Sequence, residues 1–267
     1  MSALSDALSA AQADGRAALI GYLPVGYPDV DTSIEAMIAM VEGGVDIVEV
    51  GLPYSDPGMD GPVIQRAVDP AVRAGVGPRD ALLGAKAVAG SGAAAVVMSY
   101  WNPIERYGVN RFADELAAAH GAGVITPDII PEEAQAWVTA TDEAMIDRVF
   151  LVAPSSPPPR IEAVAQISNG FVYAASTMGV TGTRTQVSTD ARELVERTRS
   201  VTGQPVCVGL GVSTPEQAGE VAQYADGVIV GSAFVRRVLQ ASSPQAAAES
   251  VALLASQMAA AVRTARR

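Results

Sequence analysis

The 267-residue sequence predicts a single (β/α)8 barrel with an extra N-terminal helix. Three observations point there. Eight short β-branched runs alternate with helical patterns from end to end. The runs are near-continuously apolar, as parallel strands covered on both faces must be. No Gly/Ser linker or shift in composition divides the series, and a chain of this length suits one barrel as well as two small domains. An open doubly wound sheet is the alternative that the same pattern allows.

The elements follow in order. "MSALSDALSAAQADG" (1–15) reads as an amphipathic helix with Leu4, Ala7 and Leu8 on one side, and it lacks the basic region and apolar core of a signal peptide. The first four strands are expected at "AALIGYL" (17–23), "VDIVEVG" (45–51), "AAVVMSY" (94–100) and "AGVITPD" (122–128). The last four are expected at "DRVFLVA" (147–153), "GFVYAAS" (170–176), "PVCVGLG" (205–211) and "DGVIVGS" (226–232). Thr214, Pro215 and Gln217 form an N-cap, a first-turn proline and a capping-box partner. "IPEEAQAWV" opens a helix with Glu132 and Glu133 in its first turn, and "SSPPPR" (155–160) is a stiff loop leading into "IEAVAQIS". The whole of 1–267 is one domain, with the barrel core at 17–235 and a C-terminal helix at 236–267.

Composition narrows the chemistry. The balance of 18 basic against 29 acidic residues gives a net charge of -11, which argues against nucleic acid or an anionic membrane as partner. No apolar run reaches transmembrane length. An anionic ligand would have to be held by local backbone donors, since no long-range positive field attracts it. The single histidine, His120, stands at a helix end, so neither a common zinc site nor a Ser-His-Asp triad is within reach. The single lysine, Lys86, lies in the helical run "ALLGAKAVAG" and reads as solvated rather than as a Schiff-base nucleophile. The single cysteine, Cys207, excludes an internal disulfide, fits a reducing cytoplasm and reads as a buried small hydrophobe.

The active site of a barrel lies at the C-terminal ends of its strands. The unusual residues fall there: Glu49 near the end of the second strand, Tyr100 and Asn102 after the third, Asp128 after the fourth and Tyr173 on the sixth. Alternation puts Val45, Ile47 and Glu49 on one face, where lost hydration should raise the Glu49 pKa into the range of a general acid or base. A Glu paired with a buried Arg is the structural alternative. Asp60, in "MDGP", has the setting of a turn-forming Asp that bonds its own backbone. The loops after the second strand ("PYSDPGMDGP") and the sixth ("TMGVTGTRTQVSTD") are long enough for lids. Glycine clusters "GVTG" (179–182), "GLG" (209–211) and "GS" (231–232) end the last strands; singly each is an ordinary turn, but together they make a phosphate cradle of backbone N–H groups.

"PYSDPGMDGPVIQRA" resembles the signature of the tryptophan synthase α subunit family, in which a Pro-(Phe/Tyr)-Ser-Asp-Pro stretch runs on to Asp-Gly-Pro. The likeness spans nearly the whole chain, through "GYLPVGYPD", "EVGLPYSDP", "YWNPIERYG", "ITPDIIPEE", "STMGVTG", "GLGVSTPEQ" and "VIVGSAFV" in family order. Two departures are Gly58-Met59, where more apolar residues are common, and Tyr22, where Phe is common.

The resemblance implies cleavage of indole-3-glycerol phosphate to indole and glyceraldehyde 3-phosphate, without metal or cofactor in this chain. It implies that Glu49 shuttles protons at indole C3 and at the glycerol hydroxyl, while Asp60 binds the indole N–H. Tyr173 and Thr181 are the supporting residues it implies, Gly182, Gly211, Gly231 and Ser232 the phosphate site, and Tyr22, Met98, Tyr100, Ile125 and Leu210 the indole pocket. It further implies a cytoplasmic α2β2 assembly with a β subunit that carries pyridoxal phosphate and receives the indole. Pro53, Asp56, Gly58-Met59, Asn102-Pro103 and Ile129-Ile130-Pro131 form the expected docking face. A stand-alone lyase that releases free indole and a non-catalytic subunit that only binds a phosphate ligand are the competing functions. Indole-glycerol-phosphate synthase, which relies on lysines, is disfavoured by the lone Lys86.

Overall fold

The computed structural model describes residues 2–175, 189–209 and 211–265. Within them, nine strands form one sheet in which every pair is parallel. They are β1 (Ala18–Pro24), β2 (Ile47–Gly51), β3 (Ala94–Met98), β4 (Gly123–Ile125), β5 (Asp147–Val149), β6 (Leu151–Val152), β7 (Val172–Ala175), β8 (Val206–Gly209) and β9 (Gly227–Val230). The order runs β5-β4-β3-β2-β1-β9-β8-β7-β6. Only Phe150 separates the two ends of that order, so β5 and β6 are the two halves of the fifth strand read from the sequence. One half pairs with β4 and the other with β7, which brings the sheet round into a barrel. Each strand falls inside its expected run and is shorter at its ends, apart from β1, which extends one residue further to Pro24.

Helices α1 (Ala3–Ala13), α2 (Val30–Glu42), α3 (Pro62–Arg73), α4 (Pro78–Gly90), α5 (Trp101–Tyr107) and α6 (Val109–Ala118) serve the first half of the chain. The second half has α7 (Gln135–Ala144), α8 (Pro158–Ile167), α9 (Thr189–Arg199), α10 (Pro215–Ala222), α11 (Ser232–Gln240) and α12 (Pro244–Thr264). The capping box forms as expected: the Thr214 hydroxyl accepts from Gln217 N–H, and the Gln217 amide oxygen accepts from Thr214 N–H at 3.2 Å. Three expectations are corrected. The C-terminal segment is two helices rather than one, because α11 starts directly off β9 and Ser243 caps a new helix with Pro244 in its first turn. Glu132 and Glu133 lie in a short 3-10 turn before α7, not in its first turn. Helix α8 begins at Pro158, because proline at N1 and N2 suits a first turn whose N–H groups have no intrahelical partner.

The three single residues keep their expected places. His120 is exposed in the left-handed conformation that ends α6, Lys86 is exposed on α4, and Cys207 is buried on β8. No helix among the described residues is long and apolar enough to cross a membrane.

The core has two layers. The larger lies between strands and helices; the smaller fills the barrel with Ala18, Ile20, Ile47, Val96, Ile125, Val149, Cys207 and Ile229 among others. Val45, expected on the face of Ile47, packs in the outer layer instead, because β2 and its strict alternation begin only at Ile47. Leu4, Leu8 and Ala11 of α1 belong to the barrel-filling group, so the N-terminal helix is the barrel's floor. Its cap residue Ser2 hydrogen-bonds the Asp147 carboxylate at the start of β5. That floor leaves the opposite mouth as the open end.

Leu4 is fully buried. Replacing it with alanine should cost about 2–5 kcal/mol of stability through lost transfer energy and the cavity left behind. Urea unfolding midpoints of Leu4→Ala and the parent would measure it, and a loss under about 1 kcal/mol would mean that α1 is not a packed floor.

Candidate functional site

Ile20 on β1 pairs in register with both Ile47 and Ile229, which sets an apolar layer across three neighbouring strands. Two residues up, Tyr22 is the register partner of Glu49. Because side chains alternate, Glu49 points into the barrel just above that layer. It is 1% exposed, and its Oε1 has no hydrogen-bond partner among the described residues. A carboxylate there would lose its hydration with no donor to replace it at Oε1, and burial raises its pKa to about 8. Among the described residues no arginine forms an ion pair with it.

A narrow cleft, open to solvent, lies at the barrel mouth. It brings together eight of the sequence-derived residues: Glu49, Asp60, Tyr22, Met98, Tyr173, Gly211, Gly231 and Ser232. Thr181, Gly182 and Leu210 lie outside the described residues. Tyr100 and Ile125 do not line the cleft. Ile125 is buried in the barrel filling below it, because β4 ends there. Tyr100 stands behind Asp60 and is joined to it by a hydrogen bond.

Sequence reasoning missed Ile64, Leu151, Val212 and Ile229 as lining residues, whereas Met59, expected on the docking face and to affect packing around the indole, does line the cleft. Leu151 and Ile229 were within reach, since period-two alternation on strands already identified turns both inward. Ile64, in the first turn of α3, and Val212, beyond β8, carry no such local signal.

Asp60 differs from its expected setting. It is 8% exposed, and its carboxylate accepts from the Tyr100 hydroxyl at 3.1 Å rather than capping its own turn. Burial raises its pKa, and the Tyr100 bond opposes that rise. The backbone carbonyl of Asp60 accepts from the Gln65 amide at 2.7 Å, tying the end of the loop to α3. Both carboxylates are therefore desolvated, and the difference between them is that one has a donor and the other has an orphan oxygen.

Two tyrosines fit only because glycines face them. A Cβ on Gly209 would collide with the Tyr173 hydroxyl, and one on Gly51 would lie 2.5 Å from that of Tyr22. Gly209 thus makes room for a ring within the "GLG" cluster. Burial raises both phenol pKa values, and the nearby charge of Glu49 adds to the effect on each. Gly211 has φ +108°, so any side chain there would be strained by its own backbone. Gly231 is the N-cap and Ser232 the first residue of α11, so that helix starts at the cleft wall with its first N–H groups free of intrahelical partners. The outer rim is less apolar than expected. Asp56, Gly58, Asn102 and Ile130 are exposed, whereas Pro53 and Ile129 are buried beneath them.

A family model described as tryptophan synthase alpha chain matches residues 8–263. The tryptophan synthase alpha chain of Thermobifida fusca is 59% identical over 270 residues, covering 100% of both chains. That of Mycobacterium tuberculosis is 60% identical over 234 residues, which is 88% of this chain and 87% of the relative. Among solved structures, M. tuberculosis tryptophan synthase in space group F222 superposes with a TM-score of 0.91 at 55% identity over 98% of each chain. The Legionella pneumophila tryptophan synthase subunit alpha keeps a TM-score of 0.89 at 28% identity over 98% of each. With a barrel of this topology, two buried carboxylates at its mouth and a match to one family along nearly its entire length, the chain belongs to the tryptophan synthase alpha chain family.

Proposed function

We propose that this chain cleaves indole-3-glycerol phosphate to indole and glyceraldehyde 3-phosphate, a lyase reaction run by acids and bases alone. The observation that carries the residue assignment is the buried, half-unpartnered Glu49 sharing one cleft with Asp60. With a pKa of about 8, Glu49 holds its proton at neutral pH. It gives that proton to indole C3 while Asp60 takes the proton from the ring nitrogen, which leaves the indolenine tautomer. Glu49, now ionised, accepts the proton of the glycerol hydroxyl next to C3. The C–C bond breaks, its electron pair restores the ring double bond, and the hydroxyl-bearing carbon becomes the aldehyde. Asp60 returns the nitrogen proton, so both carboxyls end as they began. A protonated indole ring is a sufficient electron sink, which is why this aldol cleavage needs neither a lysine imine nor a metal.

The phosphate is assigned to Gly211, Gly231 and Ser232 with the start of α11, where backbone N–H groups suit a dianion in a chain of net charge -11. Gly182 is assigned to the same cradle, and Thr181 is assigned to engage Asp60 when the lid closes. Tyr173 supports Glu49, and Tyr22 and Met98 line the indole pocket. Leu210 is assigned to that pocket by the resemblance alone. The partner is a β subunit carrying pyridoxal phosphate in an α2β2 assembly, a reading supported by the alpha-chain name of the family. It docks on the rim that exposes Asp56, Asn102 and Ile130. We place the chain in the cytoplasm, where a lone cysteine stays reduced.

Glu49→Gln should lower indole release by about 10²–10⁴-fold while phosphate-ligand binding persists, since an amide keeps the shape and loses the proton transfer. Asp60→Asn should also be severe. A Glu49→Gln enzyme with more than about a tenth of parental cleavage would sink the assignment.

The same substitution should stabilise the fold at high pH. The folded Glu49 carboxyl keeps its proton up to about 8, whereas an ordinary one loses it near 4.5. Between those values the native state binds the extra proton, so raising the pH through that window weakens folding. An amide at this position does not titrate and would lack this slope. At pH 9, Glu49→Gln should therefore be more stable than the parent by about 2–4 kcal/mol. Urea midpoints of both proteins from pH 5 to pH 9 test it, and parallel curves would show that Glu49 ionises freely.

Docking that orders the loops around Asp60 should make the isolated chain a poor catalyst which its β partner activates by about one to two orders of magnitude, a coupling of about 1–3 kcal/mol. Titrating the chain with its cognate β subunit, while following cleavage rate and complex mass, checks this. Full activity alone and no complex would identify a stand-alone lyase.

A further inference from the structure

Asp60 is not held by its own loop. The Tyr100 hydroxyl donates to Asp60 Oδ1 at 3.1 Å and accepts from the Met59 N–H at 2.9 Å. A phenol has one proton to give. With Met59 occupying a lone pair, that proton is directed at Asp60, which must then present an unprotonated oxygen. The Tyr54 ring packs against Tyr100 with centroids 5.3 Å apart, fixing the phenol from the other side.

Tyr100 is in turn fixed from a third loop. It occupies the N-cap position of α5, where Ser, Thr, Asp or Asn would normally bond the first turn. Its own hydroxyl is committed to Asp60, and α5 has no side-chain cap from its N-cap residue. Asp128, beyond β4, supplies an acceptor instead: its Oδ1 takes the Trp101 N–H at 2.8 Å. The loops after β2, β3 and β4 are thus joined in series from Asp128 through Trp101 and Tyr100 to Met59 and Asp60.

We infer that Tyr100 is a positioning residue for Asp60 and that Asp128 anchors Tyr100, the series holding Asp60 Oδ1 as an acceptor so that its other oxygen is left for the ring N–H of the substrate. This rests on Asp60 as the group that takes the indole nitrogen proton. It gives Tyr100 a task other than lining the indole pocket, and gives Asp128 a role in the reaction at a distance from the cleft.

The test uses the full chain with its β subunit, comparing Tyr100→Phe, Asp128→Ala and Asp128→Asn with the parent in cleavage of indole-3-glycerol phosphate, with thermal melts confirming the fold. Tyr100→Phe keeps the ring and removes only the hydroxyl. It should lower kcat about 10–100-fold, since misplacing a proton acceptor acts on the reacting state, with KM within about threefold. The acid limb of its pH profile should move upward, because the bond that opposes the raised Asp60 pKa is gone. Among the described residues Tyr22 and Glu49 share the cleft with Asp60, so these two titratable groups are left beside it in the variant. Asp128→Ala should lose kcat in the same manner. Asp128→Asn should restore at least about half of parental kcat, because an amide oxygen still accepts from Trp101 N–H. A Tyr100→Phe enzyme with parental kcat and an unmoved acid limb would overturn the inference, as would equal losses in Asp128→Ala and Asp128→Asn. An Asp60→Asn control separates the two levels: if it cleaves at the parental rate, the role of Asp60 is wrong, whereas an inactive control beside a fully active Tyr100→Phe removes the positioning role alone.

Discussion

Burying a carboxyl group that lacks a full set of partners is the constraint from which the site follows. Glu49 stands directly above an apolar layer on the barrel axis, where ionisation is opposed by lost hydration. Its neutral form is favoured at the pH at which most carboxylates are charged, which is what a group that must give and then retake a proton requires. The barrel accomplishes this with packing alone. Isoleucines on three adjacent strands lie beneath the carboxyl group, and α1 closes the floor below.

The mouth is built by different means from the floor. Above the apolar layer, Tyr22 and Tyr173 stand beside Glu49, and each needs a glycine opposite its hydroxyl to be there at all. A glycine at the C-terminal end of a barrel strand can therefore serve a neighbouring ring rather than a ligand. Gly209 and Gly211, two residues apart, divide these tasks: the first makes room for a phenol, and the second turns the chain with a positive φ at the cleft wall.

The strands were legible because a run buried on both faces is apolar throughout, and every strand lies within a run read from the sequence but for Pro24 at the end of β1. Phe150, which divides the fifth run into β5 and β6, carries no sign of the break, since the division depends on which neighbour each half pairs with. The burial and raised pKa of Glu49 followed from its strand alone. Those of Asp60 did not. Its "MDGP" setting reads as a turn-forming Asp that bonds its own backbone, and the Tyr100 hydroxyl that donates to it is 40 residues away on another loop. The rim shows the same limit. Pro53 and Ile129 look like exposed apolar residues in sequence, but each is covered when the loops pack together.

Two desolvated carboxyls in one cleft would repel each other if both were ionised, and their different partners resolve this. Glu49 keeps an oxygen without a donor, so its proton stays on. Asp60 receives a hydrogen bond whose direction is set by Met59 N–H, so one of its oxygens is held as an acceptor. On the proposed mechanism these are the proton-bearing and the proton-accepting group, and both line the same cleft. The division depends on distant parts of the chain: the apolar layer and α1 beneath Glu49, and a series of hydrogen bonds through the side chains of Asp128 and Tyr100 behind Asp60. Burial is the largest cause of both shifts, and at Asp60 alone the Tyr100 hydroxyl opposes it, so depth and one donor together set the two groups apart.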